Sequence, residues 1–256
     1  MIEKNEFPIL EYDDLSREVI EPNHGSEDLR LPGKCVFAFL GDCVERFAKE
    51  KNAVTAGEFI NVSKSTPIYV FEENGEKICL VQPTVGAPAA TQLLDHLISC
   101  GCRTIIATGS CGVLADIEEN AFLIPTRALR AEGTSYHYLA ASRYIDMDED
   151  MIDAIADTFS RSNIPFEKCI TWTTDGYFRE TRDMVEYRVA EGCTVVEMEC
   201  AALASCARKR GARFGEFLFT ADSLAAVTDY DARNFGCDSH AKALMLAVNV
   251  IGNIRL

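Results

Sequence analysis

The stretch that most constrains this chain spans residues 194–210, where Val195 and Val196 run into Glu197-Met198-Glu199 and then directly into Cys200, Ala201, Ala202, Leu203 and Ala204. A short apolar run followed by small helix formers reads as a strand whose C-terminal end meets a helix start, the junction from which α/β sheets are built. Ligands of such sheets collect in the crevice beyond the strands' C-terminal ends. Two carboxylates flanking an apolar Met suit a sugar there. A carboxylate accepts two hydrogen bonds, so a vicinal diol is its bidentate partner, while a thioether packs on the ring's apolar face. The same residues also suit capping, since a Glu at a helix N-terminus is favoured by the helix dipole.

The rest of the chain repeats this grammar. Apolar runs at 35–40, 104–107, 121–126, 169–173 and 214–220 read as buried strands. Residues 67–72 and 77–82 read as a hairpin around Asn74-Gly75. Helical periodicity covers 44–51, 89–100, 148–162 and 238–251, the third burying Ile152, Ile155, Ala156 and Phe159. Gly41-Asp42 closes the first strand, and Thr108-Gly109-Ser110-Cys111-Gly112 is expected to cap the 104–107 strand as an anion-binding turn. The prediction is a single-domain three-layer α/β/α fold with a central mixed sheet. It divides the chain into an irregular N-terminal arm over 1–33, ending at Pro32-Gly33, and one catalytic domain over 34–256. No linker-like stretch interrupts it, and 48% hydrophobic content over 256 residues supplies a substantial core.

A net charge of −15 argues against nucleic acid and against anionic membrane surfaces, since both require a basic patch. Any anion site must be built locally. Eleven cysteines with neither a leader nor a long apolar span point to a reducing cytoplasm rather than to a disulfide scaffold. Cys35, Cys79 and Cys169 lie in apolar runs, where a thiol acts as a small hydrophobe. Histidines stand only at 24, 96, 137 and 240, unpaired at ligand spacing, so no metal is expected.

Glu197-Met198-Glu199, Thr108-Gly109-Ser110-Cys111-Gly112 and Thr220-Ala221-Asp222-Ser223, in that combination, resemble the nucleoside phosphorylase family of hexameric-type purine nucleoside phosphorylases and uridine phosphorylases. The resemblance runs with gaps over about 37–222. It implies phosphorolysis of a nucleoside, with a purine favoured, to free base and ribose 1-phosphate. Inorganic phosphate would be the co-substrate, with no organic cofactor. Glu199 would hold the ribose hydroxyls beside Glu197 and Met198, with Val85 facing the sugar. Tyr177 or Phe178 would stack on the base. Asp222 would assist departure of a purine at N7, an acid that the family's uridine phosphorylases lack. Gly41, Gly109 and Ser110 would bind phosphate. His24 and Lys64 match residues given across a dimer interface, to the ribose 5′-hydroxyl and to phosphate, which implies a homodimer or homohexamer with shared sites. The loop 130–138 resembles a uridine phosphorylase segment and adds His137 as a candidate.

The chain also departs from the family. Glu45 stands where the first phosphate-binding Arg is expected, unless one inserted residue brings Arg46 there. Ala107 replaces a second Arg. Thr181 and Asp183 replace the Gln and Arg that read uracil. The first two departures resemble the related methylthioadenosine and adenosylhomocysteine nucleosidases, which use water, so hydrolysis is the alternative reading. A catalytically weak nucleoside-binding protein is another.

Overall fold

A computed structural model describes residues 2–254. Its strands are β1 (Lys34–Ala38), β2 (Val54–Ile60), β3 (Ser65–Glu73), β4 (Glu76–Val81), β5 (Thr104–Val113), β6 (Phe122–Ala131), β7 (Tyr144–Asp146), β8 (Phe166–Thr174), β9 (Val195–Glu197) and β10 (Arg213–Ser223). Its helices are α1 (Asp42–Glu50), α2 (Ala87–Ser99), α3 (Ser135–Tyr138), α4 (Glu149–Arg161), α5 (Arg182–Ala190), α6 (Cys200–Lys209) and α7 (His240–Asn253). Residues 2–33 hold one short 3-10 turn at Pro8–Leu10.

One mixed sheet carries all ten strands in the order β10-β6-β8-β9-β5-β1-β4-β3-β2, with β7 on β6. Because β5 also pairs in parallel with β10, the strands β5, β9, β8, β6 and β10 close on themselves, while β1, β4, β3 and β2 run outward as an open wing. The closure explains why β5 and β10 are almost wholly buried: each is hydrogen-bonded to its neighbours and covered by helices. Helices α2, α3 and α6 form one packed group and α1, α4 and α7 another, the α/β/α layering expected. The apolar face of α4 buries Met151, Ile152, Ile155, Thr158 and Phe159, and Phe159 meets Phe122, Phe166 and Phe217 in edge-on contacts.

Two local expectations change. The segment Thr108-Gly109-Ser110-Cys111-Gly112 is not a turn capping a short strand; it continues β5 to Val113. Gly109, Ser110 and Cys111 sit in register with Leu218, Phe219 and Thr220 of β10, and Gly112 with Val196 of β9. Backbone partners on both sides outweigh the turn preference of Gly and Ser. The edge strand β2 is absent from the sequence reading because it is paired only with β3 and mostly exposed. Val54 is 67% and Ile60 72% accessible, and a bulge between Thr55 and Gly57 breaks its alternation.

Candidate active site

The Glu197-Met198-Glu199 junction forms as the sequence implies, and its two carboxylates do different work. Glu197 closes β9. Its Oε1 accepts from the hydroxyls of Thr171 (3.1 Å) and Thr173 (2.6 Å), both on β8. Its Oε2 accepts the backbone N–H groups of Glu199 (2.7 Å) and Cys200 (2.6 Å), the orphan donors of α6. Four donors fill its lone pairs, so Glu197 anchors the junction. Glu199 is held differently. Its Oε1 accepts the Gly86 N–H, and its carboxyl is pushed up to about 8 by burial, then by Glu197 nearby, with Gly86 opposing. Gly86 adopts φ 104°, a backbone region that glycine tolerates, and this aims its N–H at the carboxylate.

Both carboxylates line a cavity of about 400 Å³ that opens where β5, β8, β9 and β10 end, a size suited to a small ligand. Its wall includes Met198, Val85, Gly109, Ser110, Tyr177, Glu180 and Asp222. Asp222 is nearly buried close to the end of β10, where the backbone of Ser223 pairs with Asp231 and the Arg233 guanidinium donates to the carbonyls of Ala221 and Ile117. Gly112 makes this possible. A Cβ there would lie 2.9 Å from Leu224, 3.1 Å from Val196 and 3.5 Å from Asp222 Oδ1. The Tyr230 hydroxyl sits beside Asp222 and Tyr177, its ionisation held back by burial and by the Asp222 charge.

The structure sorts the aromatic pair. Tyr177 lines the cavity, whereas Phe178, 92% accessible, packs edge-on against Tyr177 at 4.8 Å between centroids and faces outward. Several proposed anion ligands lie elsewhere in this chain. Gly41 begins α1 at φ 55° but does not reach the cavity. Arg46 is exposed, its guanidinium against Cys43 Sγ, and Glu45 turns away to pair with Lys49 at 2.6 Å. Lys64 lies in the exposed turn between β2 and β3, where Asn61 Oδ1 accepts its backbone N–H. His24 is exposed beside Glu27 and lines, with His137, a second and wider cleft under the N-terminal arm.

Two acids of the cavity escaped the sequence reading. Glu216 stands in the middle of β10, in register with Ala107 of β5, the place where the resemblance expects an arginine. It is 3% accessible and its Oε2 has no hydrogen-bond partner among the described residues; burial and then Glu197 hold its carboxyl well above the carboxylate range. A charged residue inside the run Phe214-Gly215-Glu216-Phe217 was the available signal, since Glu is seldom buried without a reason. Glu180 follows the 3-10 turn at Tyr177–Arg179, and burial, with Asp222 close by, lifts its carboxyl to about 7. Among the described residues no Lys, Arg or His side chain lines the cavity. Elsewhere, the Sγ atoms of Cys35, Cys79 and Cys102 lie within 4.8 Å of one another in the core, outside the cavity wall. All eleven cysteines are free thiols, and no described helix is long and apolar enough to cross a membrane.

The cavity, lined by Glu199, Met198, Ser110 and Asp222, lies at the ends of the strands of a closed mixed sheet, where ligands of α/β sheets bind. The match of the phosphorylase superfamily model to residues 35–250 places the chain in that superfamily of nucleoside phosphorylases and nucleosidases. It is therefore an enzyme, a pentosyltransferase of nucleoside metabolism. A guanosine phosphorylase of Halorubrum lacusprofundi is 22% identical over 185 residues, 70% of this chain and 77% of that protein. Uridine phosphorylase of Vibrio fischeri superposes with a TM-score of 0.76 at 20% identity, over 88% of this chain and 93% of its own. Purine nucleoside phosphorylase of Toxoplasma gondii gives 0.73 at 16%, over 86% and 90%. These two structures share the fold.

Proposed function

We propose that the protein cleaves a purine nucleoside with inorganic phosphate, releasing the free base and ribose 1-phosphate. The observation that carries this reading is the meeting of Glu199, Asp222 and Ser110 in one cavity. Ionised Glu199 takes the two ribose hydroxyls while Met198 covers the ring and Tyr177 packs on the base. As the bond from C1′ to the base nitrogen lengthens, positive charge grows on the sugar and negative charge on the base. Asp222 supplies a proton or hydrogen bond to the departing purine at N7. Phosphate, held by Ser110 Oγ, then bonds to C1′ while the electron pair of the broken bond leaves with the base. The reading needs no metal and no organic cofactor, and the free thiols suit a reducing cytoplasm.

A phosphate dianion in a cavity lined by five carboxylates needs a cation. Lys64, exposed on the β2–β3 turn, would serve a second copy of the chain, and His24 would serve the same neighbour's sugar. We therefore read the working unit as a homodimer or a homohexamer, a trimer of dimers, with shared sites.

Hydrolysis is the second reading, favoured by one observation: five carboxylates and no cation line the cavity in one chain. Glu45 cannot serve as its base from where it stands, paired with Lys49 on α1. Base release from inosine, guanosine and adenosine, with and without phosphate, tests both. Saturation in phosphate that is lost in Lys64→Ala supports phosphorolysis; the same rate in phosphate-free buffer assigns the nucleophile to water.

A further inference from the structure

We propose that Cys35, Cys79 and Cys102 form a three-sulfur site for a soft, thiophilic cation of the Cu(I) class, apart from the nucleoside cavity. Their Sγ atoms lie within 4.8 Å of one another, and none of the three residues lines that cavity. Three separate segments bring them together. Cys35 of β1 and Cys79 of β4 are direct partners in a parallel ladder, so their side chains share one face of the sheet. Cys102 stands in the connection from α2 into β5. Cys35 and Cys102 thus mark the beginnings of β1 and β5, whereas Phe39 and Gly109, farther along the same two segments, reach the cavity.

The number of donors selects the ion. Thiolates favour Cu(I), zinc and iron–sulfur clusters. Zinc closes a structural site with four ligands, and a cluster takes four thiolates. Among the described residues no fourth His, Cys, Asp or Glu joins this group, and all three cysteines are 0% accessible, which keeps water from completing it. Cu(I) is satisfied by three sulfurs in a plane. A metal–sulfur bond of about 2.3 Å spaces such sulfurs about 4 Å apart, so the cluster needs to contract by at most about 0.8 Å. An ion that displaces two of the three thiol protons leaves a single negative charge. The Arg103 guanidinium, donating to the Cys102 carbonyl at 2.8 Å, stands close by to offset it.

The entry path is the end of the N-terminal arm. The Leu31 N–H donates to the Cys100 carbonyl at 2.9 Å, and the Gly33 carbonyl accepts from Arg103 and Thr104 at 2.8 and 2.9 Å. Gly101 lets the arm lie this close: its φ is 130°, and a Cβ there would meet the Leu31 carbonyl oxygen at 2.7 Å. Breaking these few backbone bonds exposes the loop that carries Cys102, a local opening far smaller than unfolding.

The reduced full chain, incubated without oxygen with Cu(I) held by a chromophoric chelator, should withdraw one ion per chain, and X-ray absorption should show copper bound by three sulfurs alone. Cys79→Ala and Cys102→Ala should each weaken retention by more than the about 10- to 100-fold that loss of a hydrogen-bond partner behind a ligand costs. The double variant Cys43→Ala/Cys237→Ala, which removes the two cysteines that are not buried, should bind as the wild type does. Cu(I) should also raise the melting temperature of the wild type, a readout that needs no core substitution. Copper retained equally by Cys79→Ala and Cys102→Ala, copper lost in the double variant, or an unchanged wild-type melting temperature would overturn the assignment.

Discussion

Glu199 and Gly86, 113 residues apart in the chain, meet in a hydrogen bond of 2.5 Å from the Gly86 N–H to Glu199 Oε1. The bond joins the start of α2 to the start of α6 at the cavity wall, which Glu199 lines. Burial with Glu197 close by sets the carboxyl at about 8, so near neutrality the empty site is largely protonated there.

Glu199→Gln keeps the shape and loses the charged acceptor. Hydrogen bonds to charged groups contribute about 1.5–3 kcal/mol each, so kcat/KM should fall about 10²-fold or more. Wild-type kcat/KM should rise with pH to a plateau above about 8, and the rising limb should vanish in the Gln variant. A pH–rate profile of both proteins checks this.

The same carboxyl makes a stability prediction. Its folded pKa lies above the ordinary value of 4.5, so the folded protein holds a proton that the unfolded chain has released across the interval from about 4.5 to 8. Stability therefore falls as pH rises through that interval, by up to about 1.4 kcal/mol per pH unit. Glu180, lifted to about 7 but better solvated, adds a smaller share in the same direction. Melting temperatures between pH 5 and 8.5 should decline with pH in the wild type and decline less steeply in Glu199→Gln.

Asp222→Asn preserves volume and removes the carboxyl group that would exchange a proton with the base. Turnover of purine nucleosides should drop about 10²- to 10⁴-fold with KM little changed. Wild-type turnover in this variant would reduce Asp222 to a strand-end residue.

Gly112→Ala tests the packing that lets Asp222 approach. The added methyl would meet Leu224 at 2.9 Å and Val196 at 3.1 Å, an overpacking that costs about 1–3 kcal/mol. A lower melting temperature with a lower kcat is expected, since Asp222 Oδ1 lies 3.5 Å from the new atom.

Strands buried on both faces were legible as apolar runs, and the strand-to-helix junction at Glu197–Glu199 was legible as a site, because both are local patterns. Strand length was not. Whether Thr108 to Gly112 turns or continues depends on β10, a hundred residues away, which supplies ladder partners for Gly109, Ser110 and Cys111. Glu180 was passed over for a similar reason. Counting from the aromatic gave only Thr181 and Asp183 in place of the family's Gln and Arg, and only the tight turn at Tyr177–Arg179 shows that Glu180 lies in the wall. Lys64 and His24 are exposed in a single chain, so a part for either in the site would require a second copy.

That dependence gives the final prediction. Lys64→Ala removes the cation a chain would offer its neighbour, while Asp222→Asn disables a chain's own cavity. If Lys64 acts across a two-fold interface, each homodimer is impaired at both sites. A hybrid dimer then carries one site with both lesions and one with neither. Mixing the two inactive proteins under exchange conditions should restore about a quarter of wild-type phosphorolysis, because about half of randomly paired dimers are hybrids with one intact site of two. If Lys64 acts within its own chain, the hybrid holds one singly impaired site of each kind and mixing restores nothing. Measuring phosphate-dependent base release before and after exchange therefore decides both the sharing of the site and the source of its cation.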